Sequence, residues 1–388
     1  MIKIIRRFFL ISIFAISCVF SDAQTLNDTI PKEDIPEVSS LDRIADMFTF
    51  EKPRATISIY PTCTYEELSG VAIGIMPVIQ FKSRDTTLLS DQKRPTALIP
   101  RLSYSTKGQL DLDFTFVMFT QNGWNVSSFL WYSDYQTAFY GIGNNATDGA
   151  FSPYKMKNLV FNGELAKQLS NESFLGLRYD LNVAKISDTY GDVLNPSING
   201  YDGGVTFGLG PIYKYDSRNN VFFPEKGSYH QAYAVFYPKF FGNENSFAQA
   251  TVDLRKYCSI GNSNNVLAFQ GYASFTFGEA PFYQLPMIAN KILMRGINHP
   301  HMFIDDHAWL ARAEYRKYLW WRVSGTLFTE LGNNFGAEGN HMFENVKYSY
   351  GAGFRFQLVP DKKIHFRADL GFGPKGESAL YFTVLEAF

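Results

Sequence analysis

The sequence predicts an all-β chain, a transmembrane antiparallel β-barrel of about sixteen strands with a loop inserted into its lumen. Three observations carry this. Segment after segment alternates apolar with polar residues, and full charges fall on one face only. The segments are about ten residues or longer, the length a tilted strand needs to cross a bilayer. Aromatics make up 16% of the chain, with 36 Phe and 23 Tyr, yet the mean hydropathy is only -0.14. A barrel wall interleaves its polar and apolar residues and so escapes hydropathy averaging. A soluble β-sandwich also alternates, but it does not repeat full charges along the interior face of long strands.

Met1–Ala23 reads as a secretory signal: Lys3, Arg6 and Arg7 precede the apolar run Phe8–Phe20, and Ser21-Asp22-Ala23 is a small-x-small cleavage site. Gln24–Arg54 is poor in aromatics and carries Asp, Glu, Pro and Ser, as a periplasmic linker would. Within it Leu41–Phe50 has the pattern of a short amphipathic helix, or of an unstructured tether. The formal net charge is -1 with no basic patch, which gives no reason to expect nucleic acid. Cys18 leaves with the signal, and Cys63 and Cys258 fall on strands that are not neighbours, so two separate thiols are expected rather than a bridge.

From Ala55 to Phe388 the period is two. Leu110, Leu112, Phe114, Phe116 and Met118 share one face, with Asp111 and Asp113 opposite. Ala250, Val252 and Leu254 oppose Gln249, Thr251, Asp253 and Arg255. Ile364, Phe366, Ala368, Leu370 and Phe372 oppose His365, Arg367 and Asp369. A lipid-facing wall around a wet interior requires this division. Candidate strands run near 55–61, 68–81, 95–106, 109–121, 123–136, 156–170, 172–187, 201–215, 227–241, 246–258, 264–278, 306–318, 320–332, 346–358, 362–373 and 378–388. The first is short and holds Pro61, which cannot donate to a ladder, so the join between first and last strands is a candidate weak seam. The last places Leu380, Phe382, Val384 and Phe388 on its apolar face, with Glu386 breaking the alternation.

Two motifs stand out. In Tyr215–Tyr229 a polar turn is set by Pro224 and Gly227, and Asp216 and Arg218 are placed to pair across it. In the long segment before residue 306, Arg295-Gly296 lies between two strands, and Glu314 and Glu330 sit at inward positions of the strands that follow. Together with the C-terminal strand these resemble the bacterial surface antigen or BamA/TamA superfamily of outer-membrane assembly barrels. That family's Asp-x-Arg-(Asp/Asn)-x-x-x-x-Pro-x-(Lys/Arg)-Gly turn corresponds to Asp216, Arg218, Asn219, Pro224, Lys226 and Gly227. Its lumenal (Val/Leu)-Arg-Gly-(Phe/Tyr) loop corresponds to Met294-Arg295-Gly296-Ile297, with Ile297 in place of the aromatic. The resemblance implies that Arg295 folds into the lumen and meets Glu314 and Glu330 as a latch, and that Phe388 closes an outer-membrane sorting signal. It implies location in the outer membrane of a Gram-negative bacterium and a role in inserting or translocating outer-membrane components. Family members with that role carry periplasmic POTRA domains, for which Gln24–Arg54 leaves no room.

Expected partners are therefore outer-membrane lipid and client barrel proteins or periplasmic proteins. A passive or gated pore, or a structural barrel that partners periplasmic proteins, is the alternative. No serine–histidine constellation or phosphate loop points to an enzyme, and no cofactor is implied. His299, His301 and His307, with Asp305 and Asp306, are weak metal candidates, and a polar loop is the stronger reading of them.

Overall fold

A computed structural model describes residues 48–388, except 67–69, 82–95, 121, 145–148, 262–264, 291, 298–301, 360–362 and 385. The signal and most of the linker thus lie outside the described residues. The rest is one antiparallel 17-stranded sheet. Its strands are β1 (Thr49–Glu51), β2 (Ala55–Glu66), β3 (Gly70–Phe81), β4 (Thr96–Ser105), β5 (Leu110–Phe119) and β6 (Trp124–Phe139). Then come β7 (Ser152–Gln168), β8 (Ser173–Ser187), β9 (Gly203–Asp216), β10 (Gly227–Tyr237), β11 (Phe247–Ile260) and β12 (Asn265–Gly278). The chain finishes with β13 (His307–Trp320), β14 (Val323–Phe335), β15 (Lys347–Val359), β16 (Ile364–Phe372) and β17 (Ser378–Val384).

From β2 to β17 each strand pairs with the next, and the order returns β17 to the side of β2. This meander is a transmembrane β-barrel, and the alternating sequence explains its two faces. Leu254, Phe269, Leu327, Tyr350, Phe354 and Leu370 point outward and are exposed, while Asp253, Gln270, Glu314, Glu330, Arg355, Arg367 and Asp369 point inward and are buried. Pairing of each strand with its neighbours satisfies backbone groups within the sheet, as hydrocarbon demands.

Antiparallel alternation puts the connections after β6, β8, β12 and β14 at one end of the barrel. There they pack on each other. Phe139, Leu194, Tyr237, Phe282, Leu285 and Ile304 share one apolar cluster, and Tyr140, Ile288, Met294, Ile297 and Phe303 share a second. The long β12–β13 connection contributes to both, as does the end of β6.

Three sequence boundaries move. Thr49–Glu51, read as the end of the linker, forms β1 and pairs with Thr56–Ser58 of β2, so Phe48–Phe50 is turn and strand rather than helix. The short first strand is in fact β2, which continues past Pro61 to Glu66 because β3 pairs with it along its whole length. At the other end β17 stops at Val384, and Phe388 leaves the lipid-facing side on which the alternation placed it. The residue is 4% exposed, inside with Tyr257, Val266 and Ala268. Glu386 explains the change: its carboxylate is drawn inward to Arg355 at 2.9 Å, which takes the strand end out of the wall. Cys63 and Cys258 are both free and exposed.

Candidate functional site

The β12–β13 connection descends into the barrel because its own backbone is pinned on the way. Asp305 N–H donates to the Pro286 carbonyl, and Met287 and Ile304 form a bridge. Beyond them Asn290 Oδ1 accepts from Ile292 N–H at 2.8 Å and Leu293 N–H at 2.7 Å. Met294 N–H donates to Ile288 O at 2.9 Å, closing a tight loop that aims the next residue, Arg295, at the inner wall.

Arg295 is fully buried. Its Nε donates to Glu330 Oε1 at 2.8 Å and its backbone N–H to Glu330 Oε2 at 2.6 Å. Nη1 donates to Asp369 Oδ2 at 2.8 Å, and Nη2 lies 3.0 Å from Glu314 Oε2. The Phe328 ring lies beneath the guanidinium, 3.5 Å from its carbon. Burial alone opposes this charge, but Glu330, Glu314 and Asp369 outweigh it and hold the Arg295 pKa above its ordinary value. The planar fork suits such a site, since it meets several carboxylates at once where an ammonium is a point charge. Gly296 has φ +92°, and a Cβ there would lie 2.7 Å from Phe372 N, so the loop backbone lies directly on β16. Its N–H donates to the Tyr381 hydroxyl on β17 at 3.1 Å.

The structure thus brings Arg295, Gly296, Glu314 and Glu330 together. It adds residues that spacing did not single out. Asp369 supplies a third carboxylate; its inward face was legible, but its approach from three strands beyond β13 depends on barrel curvature. Arg355 joins Asp369 at 2.5 Å to Glu386. Arg312 Nη1 donates to Leu293 O at 2.9 Å and its Nη2 to Ala387 O at 3.2 Å, so one guanidinium holds both the loop and the C-terminal segment. Arg316 pairs with Glu314 at 2.8 Å and donates to Phe388 O at 2.9 Å.

The turn motif is assembled at the opposite end. Arg218 Nε and Nη2 donate to Asp216 at 2.9 and 3.0 Å, and the Arg218 guanidinium lies over Tyr229. Asn219 Oδ1 accepts from Glu225 and Lys226 N–H at 2.9 and 3.0 Å, while the Lys226 side chain is exposed. Gly227 has φ +101° and sits against the Ser217 carbonyl, where no side chain fits. Arg316 Nη1 reaches Pro224 O at 3.4 Å, which ties this turn to the lumen cluster.

Of the metal candidates, His299 and His301 lie outside the described residues, and His307 packs among Phe275, Phe277 and Phe335. Among the described residues no group of His, Cys, Asp and Glu is arranged to hold a metal ion.

Comparison with known families decides the lineage. The Omp85 superfamily domain matches residues 94–360, well over half of the chain. The chain belongs to the Omp85 superfamily. Solved barrels agree with this Omp85 assignment at the level of fold. BamA from Haemophilus ducreyi, in a form lacking POTRA domains 1–3, superposes with a TM-score of 0.56 at 18% identity, over 86% of this chain and 70% of that one. CdiB from Escherichia coli gives 0.55 at 11% identity, over 87% of this chain and 63% of that one. CdiB from Acinetobacter baumannii gives 0.53 at 8%, over 86% and 60%. This Omp85 chain therefore spans less than two thirds of either CdiB. No curated protein sequence matches it.

Proposed function

We propose that this Omp85 barrel inserts or translocates outer-membrane components, with Arg295 as the latch that keeps the β12–β13 loop inside the lumen. One observation carries the reading. The same loop is fastened to the inner wall through Glu314, Glu330 and Asp369 and to β17 through Tyr381. A loop so placed obstructs the lumen and bears on the strand at the seam, which favours work at the wall over free passage through the middle. Clients in this reading are unfolded barrel proteins, met on the periplasmic side. Phe388 acts as a sorting signal before folding, and turns inward once the barrel has closed.

The test is folding of a small unfolded barrel protein into lipid vesicles that contain this protein. Acceleration by about tenfold over empty vesicles is expected, and equal rates contradict the assembly role. The open-pore reading has its own support: Arg101 and Asp111, paired at 3.3 Å across β4 and β5, keep side-chain exposures of 23% and 34%. Planar-bilayer conductance separates the two readings. A latched plug conducts little until Arg295→Ala is introduced, whereas a pore conducts freely without it.

A further inference from the structure

We propose that Phe48–Glu51 is a replaceable seam strand: it covers the stretch of the β2 edge that β17 abandons, and must leave before that stretch can pair with anything else.

A strand has two edges, and β3 occupies one edge of β2 from Ala55 to Glu66. The other edge faces the seam. β17 does not run its full length, because after Val384 the chain turns into the lumen. Arg355 holds Glu386 there, and Arg312 and Arg316 hold the Ala387 and Phe388 carbonyls. Unpaired N–H and C=O groups beside lipid would be costly. The hairpin β1–β2 fills the gap. Lys52 N–H donates to Ala55 O at 2.8 Å, closing a turn on Pro53-Arg54, and Ile59 N–H donates to Phe48 O at 2.9 Å.

The side chains continue the pattern of the wall. Phe48 and Phe50 are 48% and 45% exposed on the outer side. Thr49 and Glu51 face the other way, and bond Ser58 and Thr56 at 3.2 and 2.9 Å. The N–H groups of Ile57 and Ile59 point to this edge by alternation, so position 61 would supply the next donor. Proline has none, which interrupts the edge just beyond the point where β1 begins.

β1 is also built to be exchanged. It is three residues long, whereas β2 and β3 pair over twelve. A two-stranded hairpin this short is marginal on its own. The inference is independent of what the barrel inserts.

The experiment uses the full chain in lipid vesicles, with Cys18, Cys63 and Cys258 replaced by serine and Ser58→Cys introduced. The probe is a biotinylated peptide of residues 48–54 carrying Thr49→Cys. Thr49 faces Ser58 in the register, so pairing of the peptide on β2 brings the two sulfurs together for a mixed disulfide. A second protein also carries Phe50→Pro, which removes a donor from β1 without touching β2. Heat-modifiable gel migration shows that both barrels are folded. Capture of the peptide about fivefold or more above the intact-β1 protein is expected with Phe50→Pro. Equal capture by both proteins would show that β1 does not cover the edge. Capture by neither would show that the edge is closed by something else. Either result overturns the proposal.

Discussion

At the scale of single residues, Arg295 is the position where most is at stake. Alanine there leaves Glu314, Glu330 and Asp369 facing one another in a confined space, and loss of one partner from a buried ionic cluster costs about 3–5 kcal/mol. Urea unfolding in detergent micelles should show a loss of that order for Arg295→Ala. Arg295→Lys should recover only part of it, since an ammonium cannot span three carboxylates in one plane. Gly296→Ala is expected to cost more than about 1 kcal/mol in the same assay, because φ +92° and the Phe372 backbone at 2.7 Å both oppose a side chain. The two glutamates were legible as inward strand positions, and Arg295 through the loop motif whose resemblance placed it in the lumen. Asp369 and Arg355 were legible as inward residues, but their gathering with Tyr381 around the loop was not, because which residues meet inside a cylinder depends on curvature and not on spacing. Phe388 misled for a related reason. Alternation describes a strand only while the strand lasts, and Glu386 ends it.

At the scale of elements, the β9–β10 turn and the rim loops hold the two ends of the barrel. Asn219 accepts two backbone N–H groups, and Asn219→Ala strands both; a loss of about 1–3 kcal/mol is expected on unfolding. The rim offers a pH test. Asp305 Oδ1 accepts from Ala337 N–H and Asp306 N–H, both at 2.7 Å, and joins the long loop to the β14–β15 loop. Burial raises the Asp305 pKa, with the two backbone bonds opposing it. A raised carboxyl pKa favours the neutral form in the folded state, so its contribution is full below the unfolded value and is lost as pH rises through the folded one. Asp305→Asn should therefore gain in thermal midpoint over the parent at pH 7, and the gain should shrink towards pH 3.5. A gain that is the same at both pH values would refute the assignment. Strand positions were almost wholly readable, because a period of two repeats along the wall and full charges recur on its inner face. The packing of the rim was not, since loop residues carry no period.

At the scale of the whole molecule, a wet interior has been turned into a bonded one. The loop, the inner wall from β13 to β16 and the C-terminal segment share one set of charges, in which Arg312 touches both the loop and the C-terminal segment and Arg355 joins Asp369 to Glu386. Loosening the loop should thus loosen the chain end at the seam, so Arg295→Ala should speed peptide capture at Ser58→Cys in the Phe50→Pro protein. The central claim is that Arg295 keeps this loop inside the barrel, and labelling of Met294, buried beside it, tests that most directly. With Met294→Cys as the sole thiol and a charged, membrane-impermeant thiol reagent, the protein with Arg295 intact should label slowly, and Arg295→Ala should raise the rate about tenfold or more. Fast labelling with Arg295 in place would contradict the account.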